Sequence, residues 1–96
     1  MVTAVVLIQA QMGRTKAIAE ALLENSEVSE VYSVAGEFDL VAIVRVQSYD
    51  QMAEAVPERL AGIPGIQKTT TLMAFQCYSR HDLERMWGIG MDSGTP

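Results

Sequence analysis

The sequence has a single cysteine, Cys77, and a single histidine, His81. One cysteine excludes an intramolecular disulfide framework and fits a reducing compartment. It also leaves no Cys/His spacing from which a zinc site could be built, and no metal ligands are assigned. Basic residues are few: seven against twelve acidic, for a formal charge of −5. They are scattered singly, without a basic stripe, which disfavours direct contact with a nucleic-acid backbone. Long hydrophobic runs are absent. The opening apolar run covers about eight residues, far short of the roughly 20 that span a bilayer, and no basic segment precedes it as in a signal peptide. The expectation is a cytoplasmic protein without a membrane partner. No Gly-rich loop leads from a strand into a helix in the phosphate-cradling form, and no cofactor is expected.

What the chain does have is apolar residues, 49% of the total. With 96 residues it can bury roughly two-thirds of its unfolded surface, enough for one modest core. Residues 1–87 read as that domain and 88–96, rich in Gly, Ser, Thr and Pro, as a frayed tail.

Branched residues over 3–10 predict a strand, 11–14 a loop, and 15–24 an amphipathic helix with Ile18, Ala21 and Leu22 inside. Residues 28–35 and 38–47 predict a hairpin whose turn holds Gly36, free to take positive φ. Ser48-Tyr49-Asp50 offers a helix N-cap. Met52, Val56 and Leu60 recur every fourth residue and predict a second helix, which Pro57 should kink or split. The Gly62-Ile63-Pro64-Gly65 segment stops it, and 66–78 reads as a long last strand. Ser79 and Asp82 form a capping-box variant ahead of a short third helix carrying Leu83, Met86 and Trp87.

The order β-α-β-β-α-β plus a terminal helix is the α+β, ferredoxin-like split arrangement. Both main helices fall on one face of a four-stranded antiparallel sheet. The other face is left open, yet the strands are apolar on both sides: Leu40, Ala42, Val44 and Val46 against Val41 and Ile43, Val5 and Leu7 against Val6 and Ile8. A wet antiparallel face should alternate with polar residues. A naked apolar face of that size is rare on a monomer. The chain is therefore expected to be a homodimer of stacked sheets, a dimeric α+β barrel.

Four motifs point to a family. They are Val34-Ala35-Gly36-Glu37-Phe38-Asp39-Leu40, a hairpin of V-x-G-x-x-D-[LY] type; the strand end Val44-Arg45-Val46; Ile63-Pro64-Gly65-Ile66; and Thr69-Thr70-Thr71-Leu72. In that order and spacing the chain, from about residue 2 to 78, resembles the ligand-sensing (RAM) domain of the Lrp/AsnC transcriptional regulators. The resemblance implies a non-catalytic module that binds an amino acid or similar small effector between dimers of a ring, an octamer or a decamer. Family regulators carry a helix-turn-helix domain ahead of this module, whereas here the module begins near residue 2. The expectation is a stand-alone form that modulates full-length regulators by co-assembly and does not itself contact DNA.

An amino-acid effector needs a carboxylate or carbonyls for its ammonium, and N–H groups or hydroxyls for its carboxylate. The motif match carries Gly36, Asp39, Thr69 and Thr71 over as effector-binding candidates, with Asp50 as a weaker fifth. Each has a plainer reading. Gly36 and Asp39 suit any turn, Asp50 suits a helix N-cap, and threonines suit strands. No catalytic residues are assigned. Cys77 has no activating neighbour in sequence, His81 sits in a helix's first turn, Glu20, Glu24, Glu27 and Glu30 read as a solvated edge, and Met86 and Trp87 as a helix anchor. Two alternatives stay open. Small cofactor-free oxygenases and haem-degrading enzymes use the same dimeric barrel, and a purely structural assembly subunit would look alike.

Overall fold

The computed structural model describes residues 1–80. The chain runs β1 (Val2–Ala10), α1 (Thr15–Leu23), β2 (Val28–Ser33), β3 (Leu40–Val46), α2 (Tyr49–Ala61) and β4 (Ile66–Ala74). The strands form one antiparallel sheet in the order β2-β3-β1-β4, the α+β, ferredoxin-like arrangement the sequence predicts. His81, Asp82, the third helix and the tail 88–96 lie outside the described residues.

Strand alternation builds the core. Ala4, Val6 and Ile8 of β1 and Leu40, Ala42, Val44 and Val46 of β3 are buried, pointing at the helices. Ile18 and Leu22 of α1 and Met52, Val56 and Leu60 of α2 complete the same cluster. Both helices thus cover one face, and each fully buried aliphatic side chain contributes about 1.5–3 kcal/mol. On the opposite face Val5, Leu7, Val41 and Ile43 are only half-buried.

The helices are held differently. Arg14 occupies the N-cap position of α1 without a side-chain bond, so its apolar face holds that helix in place. At its far end the Asn25 amide donates to the carbonyls of Ala21 and Leu22 at 3.4 and 3.3 Å. α2 is capped by Ser48, whose hydroxyl accepts the Gln51 N–H at 3.3 Å while Gln51 Oε1 accepts the Ser48 N–H at 3.3 Å. This reciprocal pair is a capping box. Asp50 stands inside the first turn, where a negative charge favours the helix dipole.

Two expectations are corrected. Of the two outcomes expected of Pro57, a kink or a split, the split does not occur: α2 runs unbroken from Tyr49 to Ala61. The missing N–H and the ring of the proline both affect the carbonyl of residue 53, and Pro57 and Ala53 are exposed, so water can satisfy the freed carbonyl. The last strand also ends at Ala74, not at 78. Ala74 pairs with Thr3, next to the first residue of β1, and a strand without a neighbour has no ladder to extend.

The hairpin arms are shorter than their composition suggests. β2 ends at Ser33 and β3 begins at Leu40, leaving 34–39 as a connection closed by the Val34 N–H on the Asp39 carbonyl at 3.0 Å.

Candidate functional site

The hairpin connection and the end of β1 meet at one end of the sheet. Gly36 has φ +123°, a conformation that glycine alone adopts freely. A Cβ there would touch nothing within 4 Å, so the requirement is conformational and not steric. Asp39 is half-buried. Its N–H donates to the Ile8 carbonyl at 2.9 Å, and its Oδ2 accepts the Ala10 N–H at 2.8 Å. Gln9 reaches back to donate to the Glu37 carbonyl at 3.1 Å. The loop is therefore pinned to β1 by three bonds. Between the pins, the N–H groups of Ala35, Gly36, Glu37 and Phe38 have no partner among the described residues. These are backbone donors on a largely exposed loop, groups that bond to water or to an anionic oxygen.

Thr69 and Thr71 stand opposite Ile8 and Val6 in the β1–β4 register, so both project on the helix side. Both are nevertheless exposed. α1 packs over β2 and β3, and α2 over β3 and β1, which leaves the helix-side surface of β4 open. Thr69 shares a row with Ile8 and Leu40, placing it about 10 Å from the Asp39 end of β3, two strand spacings away. Thr71 lies roughly 7 Å farther along the strand. Asp50 is not brought to this end. It follows the far end of β3, about 20 Å away along the seven-residue strand. Within one chain, then, Gly36, Asp39 and Thr69 share an end of the sheet, and they stand on an open surface. Clefts of about 490, 500 and 420 Å³ lie elsewhere, along α2 beside the end of β3, on the open sheet face and at the end of α2.

Three further contacts escaped the sequence reading. Arg59 on α2 donates through Nη1 to Asn25 Oδ1 at 2.9 Å and to Glu27 Oε1 at 3.0 Å, strapping α2 to the α1–β2 connection. The Arg59 side chain is 48% exposed, and such a pair contributes less than about 1 kcal/mol. On the open face the Tyr32 hydroxyl donates to Glu30 Oε2 at 2.8 Å. That bond, and then the carboxylate's charge, raise the Tyr32 pKa above the ordinary phenol value, against a smaller pull downward from Arg45. The capping box had a readable signal in Ser48-x-x-Gln51, whereas the long-range partners of Arg59 had none.

A family model described as the Lrp/AsnC ligand binding domain matches residues 3–83. The chain belongs to this family. Among solved structures, TTHA0845 from Thermus thermophilus is 41% identical with a TM-score of 0.77, the match covering 83% of this chain and all of that one. An HTH-type transcriptional regulator of Pyrococcus furiosus, PF0250, is 37% identical over 60 residues, 62% of this chain and 40% of the regulator. The chain thus spans about half the length, or less, of the curated relatives it matches. The transcriptional regulator NMB0573 of Neisseria meningitidis, solved as a complex with L-Met, shares the fold with a TM-score of 0.73 at 14% identity, over 82% of this chain and 53% of that one. The Lrp/AsnC match spans all four motifs, from the Gly36–Asp39 hairpin to Thr69–Leu72. Among the described residues of this Lrp/AsnC domain no helix is long and apolar enough to cross a membrane.

Proposed function

We propose that the chain is a non-catalytic, cytoplasmic effector-sensing and oligomerisation module whose ligand is an amino acid or a similar small zwitterion. The observation that carries this reading is the hairpin end. The N–H groups of residues 35–38, unpartnered among the described residues, would suit a carboxylate, and Asp39, with one oxygen engaged on Ala10, keeps a second for an ammonium group. The L-Met bound by a regulator of the same fold supports the ligand class. Because these groups stand on an open surface, a second chain must close the site. Thr69 and Thr71 of a neighbouring dimer are the groups we place there, and Asp50, at the other end of the sheet, is the weakest candidate of the five. Dimers form through the open sheet faces and assemble into a ring of eight or ten chains. Co-assembly with full-length family regulators would pass the ligand signal to transcription.

Thermal melting against the twenty amino acids at millimolar concentration tests the reading. A ligand at about 100 times its dissociation constant adds roughly 2.7 kcal/mol, several degrees for a domain of this size. Asp39→Asn keeps an acceptor for Ala10 and removes the charge, so it should melt near the wild type and lose the ligand-induced shift. If no amino acid shifts the wild type, the structural-subunit reading replaces this one. A full shift in Asp39→Asn would move the ammonium elsewhere.

A further inference from the structure

The helix side of β4 is open, and α2 walls it. α1 packs over β2 and β3 and α2 over β3 and β1, so α2 lies between α1 and the uncovered strand. Met52, Val56 and Leu60 of α2 face the sheet, and Arg59 reaches toward the α1 side. With about 3.6 residues per turn, Ala53 and Pro57 fall on the opposite flank, toward β4. Both are exposed. Met73, opposite Ala4 on the helix side of β4, is exposed too. Strand and helix thus make a shallow groove lined by a methionine, an alanine and a proline. Its mouth is where β4 ends: Ala74 pairs with Thr3, Val2 pairs with Val46, and α2 begins at Tyr49. Asp50, on the same flank of α2, stands at that mouth without an ion-pair partner among the described residues. Thr71 and Thr69 lie farther along β4, on the surface offered to the effector.

We propose that the chain's own C-terminal segment fills this groove, residues 83–87 folding back to seat the Trp87 indole against Met73, Ala53 and Pro57. Pattern, reach and charge select this occupant. Leu83, Met86 and Trp87 recur at i, i+3 and i+4, the spacing of one apolar helix face, and such a face needs a surface on which to be buried. The eight residues 75–82 can span about 25 Å when extended, and Met73 is the neighbour of Ala74, where they start. A tether this short holds the segment at a millimolar effective concentration, which favours its own groove over that of a second copy. The segment also carries Arg85, a cation for the Asp50 carboxylate at the mouth. Trp87 lies past the end of the family match at residue 83, so this contact is one the shared domain does not supply.

Trp87 is the single tryptophan, so its fluorescence reports on the groove directly. In the full-length wild type its emission should lie to the blue of the urea-unfolded chain's and resist acrylamide quenching, and dilution should change neither. Ala53→Lys places a charge in the groove at an exposed position, with a residue that suits a helix. It should keep the far-ultraviolet circular dichroism of the wild type and move the Trp87 emission to the unfolded value. Glu54→Lys, one residue on and lining the cleft along α2 beside the end of β3, should leave the emission in place. A wild-type emission already at the unfolded wavelength overturns the proposal. So does a blue emission that survives Ala53→Lys, or one lost equally in Glu54→Lys, because Trp87 then does not sit in this groove. A blue emission that turns red on dilution gives the segment to a second copy and overturns docking within one chain.

Discussion

The Asp39 carboxylate holds the Ala10 N–H at 2.8 Å, across 29 residues of sequence. Ala10 is the last residue of β1 and Asp39 the last of the hairpin connection, so one side chain ties the loop to the sheet. Under the proposed function the other carboxylate oxygen would receive an ammonium group, so a structural and a binding role would fall on one side chain. A hydrogen bond to a charged acceptor contributes about 1.5–3 kcal/mol. Asp39→Ala should therefore lower the melting temperature by on the order of 10 °C, and Asp39→Asn by less than half as much. An Asp39→Ala chain that melts with the wild type would show that the bond holds nothing.

Ser48 and Gln51 make a second local prediction. Removing a serine N-cap costs about 0.5–2 kcal/mol, so Ser48→Ala should shift the denaturation midpoint without changing the denaturant slope. Gln51→Ala should cost less, because the Ser48 hydroxyl retains its acceptor role toward the backbone N–H of residue 51. Urea titrations of the two variants and of the pair check this. The pair should cost less than the sum if the bonds act as one box.

Much of this architecture was legible because its signals are local. The both-sided apolar pattern of Leu40 to Val46 marked β3, Gly36 marked the turn, and the four-residue spacing of Met52, Val56 and Leu60 marked α2 through Pro57. The errors came from signals that are not local. Residues 75–78 have strand-like composition, but a strand's end is set by its neighbour, and β1 offers nothing past Thr3 and Val2. Pro57 reads as a breaker until its exposure and that of Ala53 are known. At the candidate site, residue type was legible and partnership was not. Asp39 looked like a turn residue or a ligand carboxylate, and nothing nearby in sequence names Ala10. Asp50 entered as a weaker candidate through the resemblance alone, and residue type could not say at which end of the sheet it stands. The chain runs the whole length of β3 between Asp39 and Asp50, which puts the two at opposite ends of the sheet.

These 96 residues should not bind duplex DNA by themselves. The net charge of −5 opposes a polyanion, and no counterion release rewards the contact. Fluorescence anisotropy at low salt should give no binding below micromolar concentration. Sub-micromolar binding that weakens steeply with added salt would overturn the expectation.

Adjacent residues of β3 separate fold from assembly. Val44 points at the helices and is 5% exposed, within a core cluster that contains no buried polar group. An aspartate there has no partner, and an unpaired buried carboxylate costs several kcal/mol, comparable to the stability of a whole small domain. Val44→Asp should abolish the cooperative melting transition. Ile43 points the other way and is half-buried on the open face between Val5 and Glu30. There a carboxylate can reach water in the single chain but not between two stacked sheets. Ile43→Asp should therefore keep the far-ultraviolet circular dichroism of the wild type and scatter light as a 10.5 kDa monomer. If Ile43→Asp retains the wild-type mass, the open face is not where the copies meet. If Val44→Asp melts like the wild type, the burial pattern of β3 is wrong, and with it the register that places every residue of the candidate site.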